Sequence, residues 1–183
     1  ESAQEDMQKI INATLHAREV VRKLMLFSRQ VPPKMVPVDL NKLIEEGFYF
    51  LENRCRNQGV EITRKLQPNL PLVIADPGQM HQVLVNLSVN AMQAMPKGGI
   101  ITISTRSESG RVEIKIADTG VGMEADTLSK IFIPFFTTKD IDQGTGLGLS
   151  VVHGIISAHD AEIKVHSSPG KGSEFCIIMK EHH

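Results

Sequence analysis

Apolar residues recur at Ile10, Ala13, Ala17, Val20, Leu24 and Phe27, in alternating steps of three and four. That spacing is the seam of a coiled coil or helical bundle, and it predicts one long amphipathic helix from about Glu5 to Gln30. Lys9, Arg18, Glu19 and Arg22 fall on its other faces. A single stripe of this kind cannot bury itself, so residues 1–30 are expected to need a partner helix. Pro32, Pro33 and Pro37 come next, and residues 31–38 are expected to form a stiff linker.

From 39 to 181 the periodicity switches repeatedly between helix and strand. Asp39 is placed to cap a helix running to about Asn57 and ended by Gly59, with Leu40, Leu43, Ile44, Phe48 and Leu51 on one side. Glu61–Gln67 alternates like a strand, and Leu72–Ile74 is a short extended piece. In Asp76-Pro77-Gly78-Gln79 the aspartate is the expected N-cap, the proline starts the first turn, and Gln79 stands where a capping-box partner belongs. That helix should stop near Met95, before Pro96-Lys97-Gly98-Gly99. Strands at about Ile100–Ser107 and Val112–Ala117 turn at Ser109-Gly110. A helix from Gly148 to about Ala158 and a hairpin of Glu162–His166 with Glu174–Met179 complete the series. Hairpin-paired strands with helices to cover one face predict an α+β fold, a two-layer α/β sandwich preceded by one long amphipathic helix.

Composition narrows the partners. The chain has 183 residues, 41% hydrophobic and 22% charged, with a net charge of −1. No basic excess exists to bind nucleic acid, and with 4% aromatic residues and no Trp there is no stacking platform for single strands. No apolar run is long enough to span a membrane and the N-terminus is polar, so a cytoplasmic segment without direct membrane contact is expected. Cys55 and Cys176 sit within helix and strand patterns and read as buried free thiols. His182-His183 carries no weight.

The chemistry lies on the amides and glycines. The Pro77–Met95 helix sets an apolar stripe (Met80, Val83, Leu84, Leu87, Ala91, Met95) against uncharged amides at Gln79, Gln82, Asn86, Asn90 and Gln93. Exposed helix faces favour Lys and Glu, and Asn is a poor helix former, so this stripe is more than a solvated face. Amide oxygens suit Mg²⁺ and amide NH₂ groups can donate to phosphate. Asp118 opens the loop Asp118-Thr119-Gly120-Val121-Gly122-Met123 and can accept from an exocyclic amine or simply stabilise a turn. Gly144-Thr145-Gly146-Leu147-Gly148-Leu149 precedes a helix, whose N-terminus can cradle phosphate. Lys139, between the two loops, could charge-pair with phosphate or be an ordinary surface lysine.

The segments HQVLVNLSVNAMQAM, IADTGVGM, IFIPFFTTK, GTGLGLSVVHGI and SSPGKGSEF stand in that order. They resemble the N, G1, F and G2 boxes and the terminal glycine turn of the ATP-binding domain of sensor histidine kinases, in the GHKL (Bergerat-fold) superfamily. The resemblance covers about Val38–Lys180. The preceding Leu24-Met25-Leu26-Phe27-Ser28-Arg29 is similar to the second helix of that family's dimerisation and phosphoacceptor hairpin.

The resemblance implies an ATP-dependent protein-histidine kinase domain with ATP and Mg²⁺ as cofactors. By it, Asn90 is the Mg²⁺ ligand and Asn86 a neighbouring metal or phosphate contact. Asp118 meets the adenine amine, and Gly120, Gly122 and Met123 shape the base pocket. Residues from about Pro134 to Thr145, Lys139 and Gly144 among them, form a mobile lid over the phosphates. Gly146, Leu147 and Gly148 offer backbone N–H groups, and Ser173 holds the adenine end through water. Gln93 stands where many members carry a basic residue; it can donate a hydrogen bond but brings no charge. The NAMQAM form is closer to the nitrogen-regulator type of kinase.

The resemblance further implies a response regulator receiver domain as partner and a homodimer through the hairpin in the full-length parent, which could also carry a membrane anchor. The phosphoacceptor is missing. His16 lacks the surroundings of an acceptor histidine, and His81, His153, His159 and His166 fall inside the ATP-binding region and read as ordinary surface or core histidines. The chain is therefore expected to bind ATP without phosphorylating itself. Two other readings stand beside this one: a GHKL ATPase clamp, which needs a water-activating glutamate on the amide helix, and a nucleotide-binding interaction module.

Overall fold

Asp39 accepts a hydrogen bond from Lys42 N–H at 3.1 Å and starts helix α1, Leu40–Asn57, as its capping chemistry requires. The computed structural model describes residues 3, 5–8, 10, 11, 14, 33–139 and 145–182. The described residues before 15 are helical, and Met7, Ile10 and Ile11 are exposed there. His16 and the rest of the seam, from Ala13 to Phe27, lie outside the described residues.

Part of the expected linker belongs to the sheet. Val36–Val38 is strand β1, pairs antiparallel with β3 (Leu72–Ala75), and buries Val38. Pro37 is tolerated because β1 is an edge strand, where a missing N–H costs no ladder bond. The remaining elements are β2 (Val60–Leu66), α2 (Pro77–Gln93), β4 (Gly99–Glu108), β5 (Arg111–Asp118), a single-turn α3 (Ala125–Leu128), α4 (Gly148–Ala158), β6 (Glu162–Ser167) and β7 (Ser173–His182). The sequence pattern did not reveal α3.

The seven strands run in the order β1-β3-β7-β5-β4-β2, with β6 also pairing with β7. Two neighbours are hairpins, β4–β5 and β6–β7, as expected. Ser109 and Gly110, with φ of 54° and 77°, make the tight turn of the first. β2 lies parallel to β4, a pairing that hairpin reasoning does not give. His182 extends β7 to pair with Leu72.

One face of the sheet packs on the helices. Ile101, Ile103, Ile114, Ile116 and Ile177 meet Leu40, Ile44 and Phe48 of α1 and Met80, Leu84 and Leu87 of α2, all at most 2% exposed. Burying each such side chain contributes about 1.5–3 kcal/mol. The two-layer α+β sandwich is as expected. On the opposite face Arg106 binds Glu113 through two bonds and Lys115 meets Glu174, solvated pairs that contribute little. Cys55 and Cys176 are buried free thiols, both pushed up in pKa by burial.

Candidate functional site

The inward positions of β5 are Val112, Ile114 and Ile116, and the next residue on that face is Asp118. Its partner across the ladder is Ser173, the first residue of β7. The core row therefore ends in an acid and a hydroxyl, at the wall of a cavity of about 330 Å³ between sheet end, α2 and α4.

Asp118 is fixed through one oxygen. Oδ1 accepts from Gly120 N–H at 2.8 Å and Ser173 N–H at 3.3 Å, and no described residue donates to Oδ2. Burial pushes the carboxyl above the usual aspartate range, and the two N–H bonds pull it partly back. The turn reading and the ligand reading of this residue are thus compatible: one oxygen holds the loop and the other remains for an N–H donor.

Glycines let the loops close around Asp118. Gly172 has φ of 80°, and a Cβ there would lie 1.9 Å from Asp118 O; Gly122, at φ of 67°, would meet Ser168 O at 2.0 Å. Any side chain would push the 168–172 turn off the first glycine loop. Ser167, which sequence reasoning missed, completes the join. Its hydroxyl accepts from Met123 N–H at 2.9 Å, donates to Gly172 O at 2.9 Å, and lies 3.0 Å from Ser173 Oγ. A polar residue ending a strand gives no sign of that role.

Asn86, Asn90 and Gln93 line the cavity, whereas Gln79 and Gln82 do not. Gly148 opens α4 beside the asparagines: a Cβ on it would be 3.9 Å from both Asn86 Oδ1 and Asn90 Nδ2. No side chain caps α4 and its first turn has no acid, so its N-terminal dipole faces the amides unneutralised. Lys139 lies across this group, with Nζ bonded to Gln93 Oε1 and 3.5 Å from Asn90 Oδ1. Burial pushes its ammonium below the ordinary lysine value.

Most predicted site residues converge here. Asn86, Asn90, Gln93, Asp118, Gly122, Met123, Lys139, Thr145, Gly146, Gly148 and Ser173 all line the cavity. Gly120 does not; it serves the site through its bond to Asp118 and its close approach to Ala94. Leu147 is turned into the interior, and its carbonyl accepts from Val151 N–H and Ser150 Oγ. Gly146 has a job beyond the cavity wall: at φ of 65° it lets the Phe135 backbone come within 2.3 Å of where its Cβ would be, and its carbonyl accepts from Phe135 N–H. Gly144 lies outside the described residues. The apolar wall is supplied by Ile131, Leu149 and Phe175, which the motif reading did not single out.

The cavity thus offers a buried acceptor in an apolar slot, and a set of amides, one ammonium and a helix N-terminus. Asp118 is its only carboxylate among the described residues, and no cluster of three His, Cys, Asp or Glu exists among them to hold a metal unaided. A divalent ion here would need amide oxygen together with ligand oxygen, the mode Mg²⁺ favours.

A family model described as histidine kinase-, DNA gyrase B-, and HSP90-like ATPase matches residues 75–183. The chain belongs to that family. Curated relatives place it with the histidine kinases of the family. Sensor histidine kinase ZraS of Klebsiella oxytoca is 40% identical over 87% of this chain and 34% of its own length. Sensor kinase CckA of Brucella abortus is 39% identical over 95% of this chain and 20% of its own. The chain thus spans about a third or less of the relatives it matches. Among solved structures, full-length ShkA in complex with AMPPNP superposes with a TM-score of 0.83, at 25% identity, over 100% of this chain and 40% of that one. The catalytic domain of histidine kinase ThkA gives 0.73 at 30% identity, over 81% of this chain and 96% of that one. ThkA in complex with the response regulator protein TrrA gives 0.81 at 25% identity, over 100% of this chain and 52% of that one. The fold and family expected from the sequence are those found.

Proposed function

We propose that this chain is the Mg·ATP-binding catalytic unit of a sensor histidine kinase, which places the γ-phosphoryl group for transfer to a histidine outside residues 1–183. The observation that carries the reading is the convergence on one cavity of Asp118, the Asn86–Asn90 pair, the α4 N-terminus and Lys139. Asp118 Oδ2 accepts from the adenine amine, while Met123, Ile131 and Phe175 cover the ring faces. Asn90 and Asn86 hold Mg²⁺, whose chemistry is to neutralise phosphate charge and orient the transferred group. The residues of the chain bind and align; phosphoryl transfer needs position and charge neutralisation more than a protein nucleophile.

Three histidines among the described residues are engaged in packing, which supports an external acceptor. The His153 ring lies tilted against Phe132 with centroids 5.0 Å apart, His159 is buried in a helix junction, and His81 packs against Gly47. The bound nucleotide in the ShkA structure and the regulator in the ThkA structure support ATP as substrate and a receiver domain as next acceptor. In the parent, residues 1–30 pair with the other hairpin helix, dimerise, and lie on the cytoplasmic side. No helix among the described residues is long and apolar enough to cross a membrane.

The clamp-ATPase reading needs a base to activate water. Asp118, the cavity's only carboxylate among the described residues, is buried and engaged by two backbone N–H groups. Incubation with γ-labelled ATP tests the proposal. The 183-residue chain should bind ATP, gain no acid-labile phosphate and show no sustained hydrolysis, while the parent protein with its acceptor helix becomes labelled. Labelling of the short chain, or steady turnover, would contradict it.

A further inference from the structure

Lys139 is the only cationic residue among the described residues that line the cavity. The amide helix adds no charge, since the last turn of α2 has no basic residue. The lysine is nevertheless held: its ammonium bonds Gln93 Oε1 and approaches Asn90 Oδ1. Gln93 and Asn90 are three apart on α2, so a rigid element presents two amide oxygens on one face to a single ammonium. The segment bearing Lys139 is also tied down at its start, where Phe135 N–H donates to Gly146 O at 3.0 Å. A lysine side chain has much rotamer freedom to lose, and seating it beforehand removes that loss from the cost of binding an anion.

We propose that Gln93 is a positioning residue that seats Lys139 on the amide helix, so that an uncharged side chain fixes the cation that meets the phosphates. This rests on the Mg·ATP reading above. Asn90 Oδ1, the oxygen available to Mg²⁺, is the other half of the seat. Once the metal takes Asn90, Gln93 alone retains the lysine.

Calorimetric titration of the 183-residue chain with Mg·ATP, and separately with adenosine, tests this in wild type, Lys139→Met, Gln93→Leu and the double variant. Each single change should weaken Mg·ATP binding by about tenfold and leave adenosine binding as in wild type. The double variant should bind no more weakly than Lys139→Met, because Gln93 reaches the phosphates through the lysine. A purely structural glutamine would cost the same in both backgrounds. Circular dichroism checks folding, with Gln93→Ala as the alternative truncation. Mg·ATP affinity within about twofold of wild type in Gln93→Leu, or losses that multiply in the double variant, would overturn the inference while leaving the nucleotide reading intact. Failure of the wild type to bind Mg·ATP would instead remove that reading and the inference together.

Discussion

Asp118 is an acid kept where charge is costly, and in the function proposed above the same carboxylate that burdens folding is the one that recognises the ligand. Its burial raises the folded-state pKa. A raised folded pKa means that the group favours the folded state most at acid pH, and that this contribution is lost as pH rises through the folded value. Asp118→Asn keeps an oxygen for the Gly120 and Ser173 N–H groups but removes the charge. The variant should melt higher than wild type at neutral pH, with the difference vanishing in acid, while nucleotide affinity collapses because an amide NH₂ now faces the adenine amine. Thermal melts across pH and a nucleotide titration check both halves. Equal melting temperatures at neutral pH, or unimpaired binding, would count against the assignment. The position of Asp118 was legible in the alternation of Val112, Ile114 and Ile116, which carries the buried face on to 118. Ser167 was not legible, because its role exists only once two distant turns meet.

At the scale of elements, the helix bearing the amides depends on a junction with α4. Asp76 caps α2 by accepting from Gln79 N–H at 3.0 Å, and its other oxygen accepts from Lys34 N–H at 2.7 Å. The expected capping-box exchange with Gln79 is incomplete. The Asp76 N–H donates instead to His159 Nε2 at 2.9 Å, and His159 Nδ1 bonds Ile155 O at 2.8 Å. Since a backbone N–H can only donate, His159 is the neutral tautomer protonated at Nδ1. No local pattern could announce a cap partner 83 residues away. The N-cap itself was legible, because Asp-Pro-Gly-Gln has the chemistry of a helix start.

Asp76→Ala should cost about 1–2 kcal/mol, read from urea unfolding. The Gln79 N–H bond, with smaller help from Lys34 and Gly78, holds the Asp76 pKa below the usual range. A depressed folded pKa gives stability that is present above the ordinary aspartate value and lost as pH falls through the folded one. The stabilities of wild type and variant should therefore converge in acid. A constant difference across pH would show that the carboxylate is not the cap.

For the whole molecule, one sheet carries the acid at the end of β5 while α2 and α4 bring the amides and a helix N-terminus to the same cavity. Helices α1, α2 and α4 and both hairpins could be read from periodicity and turn residues. The parallel pairing of β2 with β4 and the inclusion of Val36–Val38 in the sheet could not, since both depend on contacts far apart in sequence. The glycines were legible as a density, and only the fold assigns them: Gly122 and Gly172 clear room for one turn, Gly146 for another. Met7, Ile10 and Ile11 are exposed among the described residues before 15, and the partner helix proposed for the parent protein would cover them.

The central claim is that one cavity grips an adenine nucleotide at both ends. A crystal structure of this chain with Mg²⁺ and a nonhydrolysable ATP analogue tests it most directly. The account predicts the adenine amine against Asp118 Oδ2 and the metal on Asn90, with phosphate oxygens at the start of α4. An empty cavity, or the base turned away from Asp118, would contradict it.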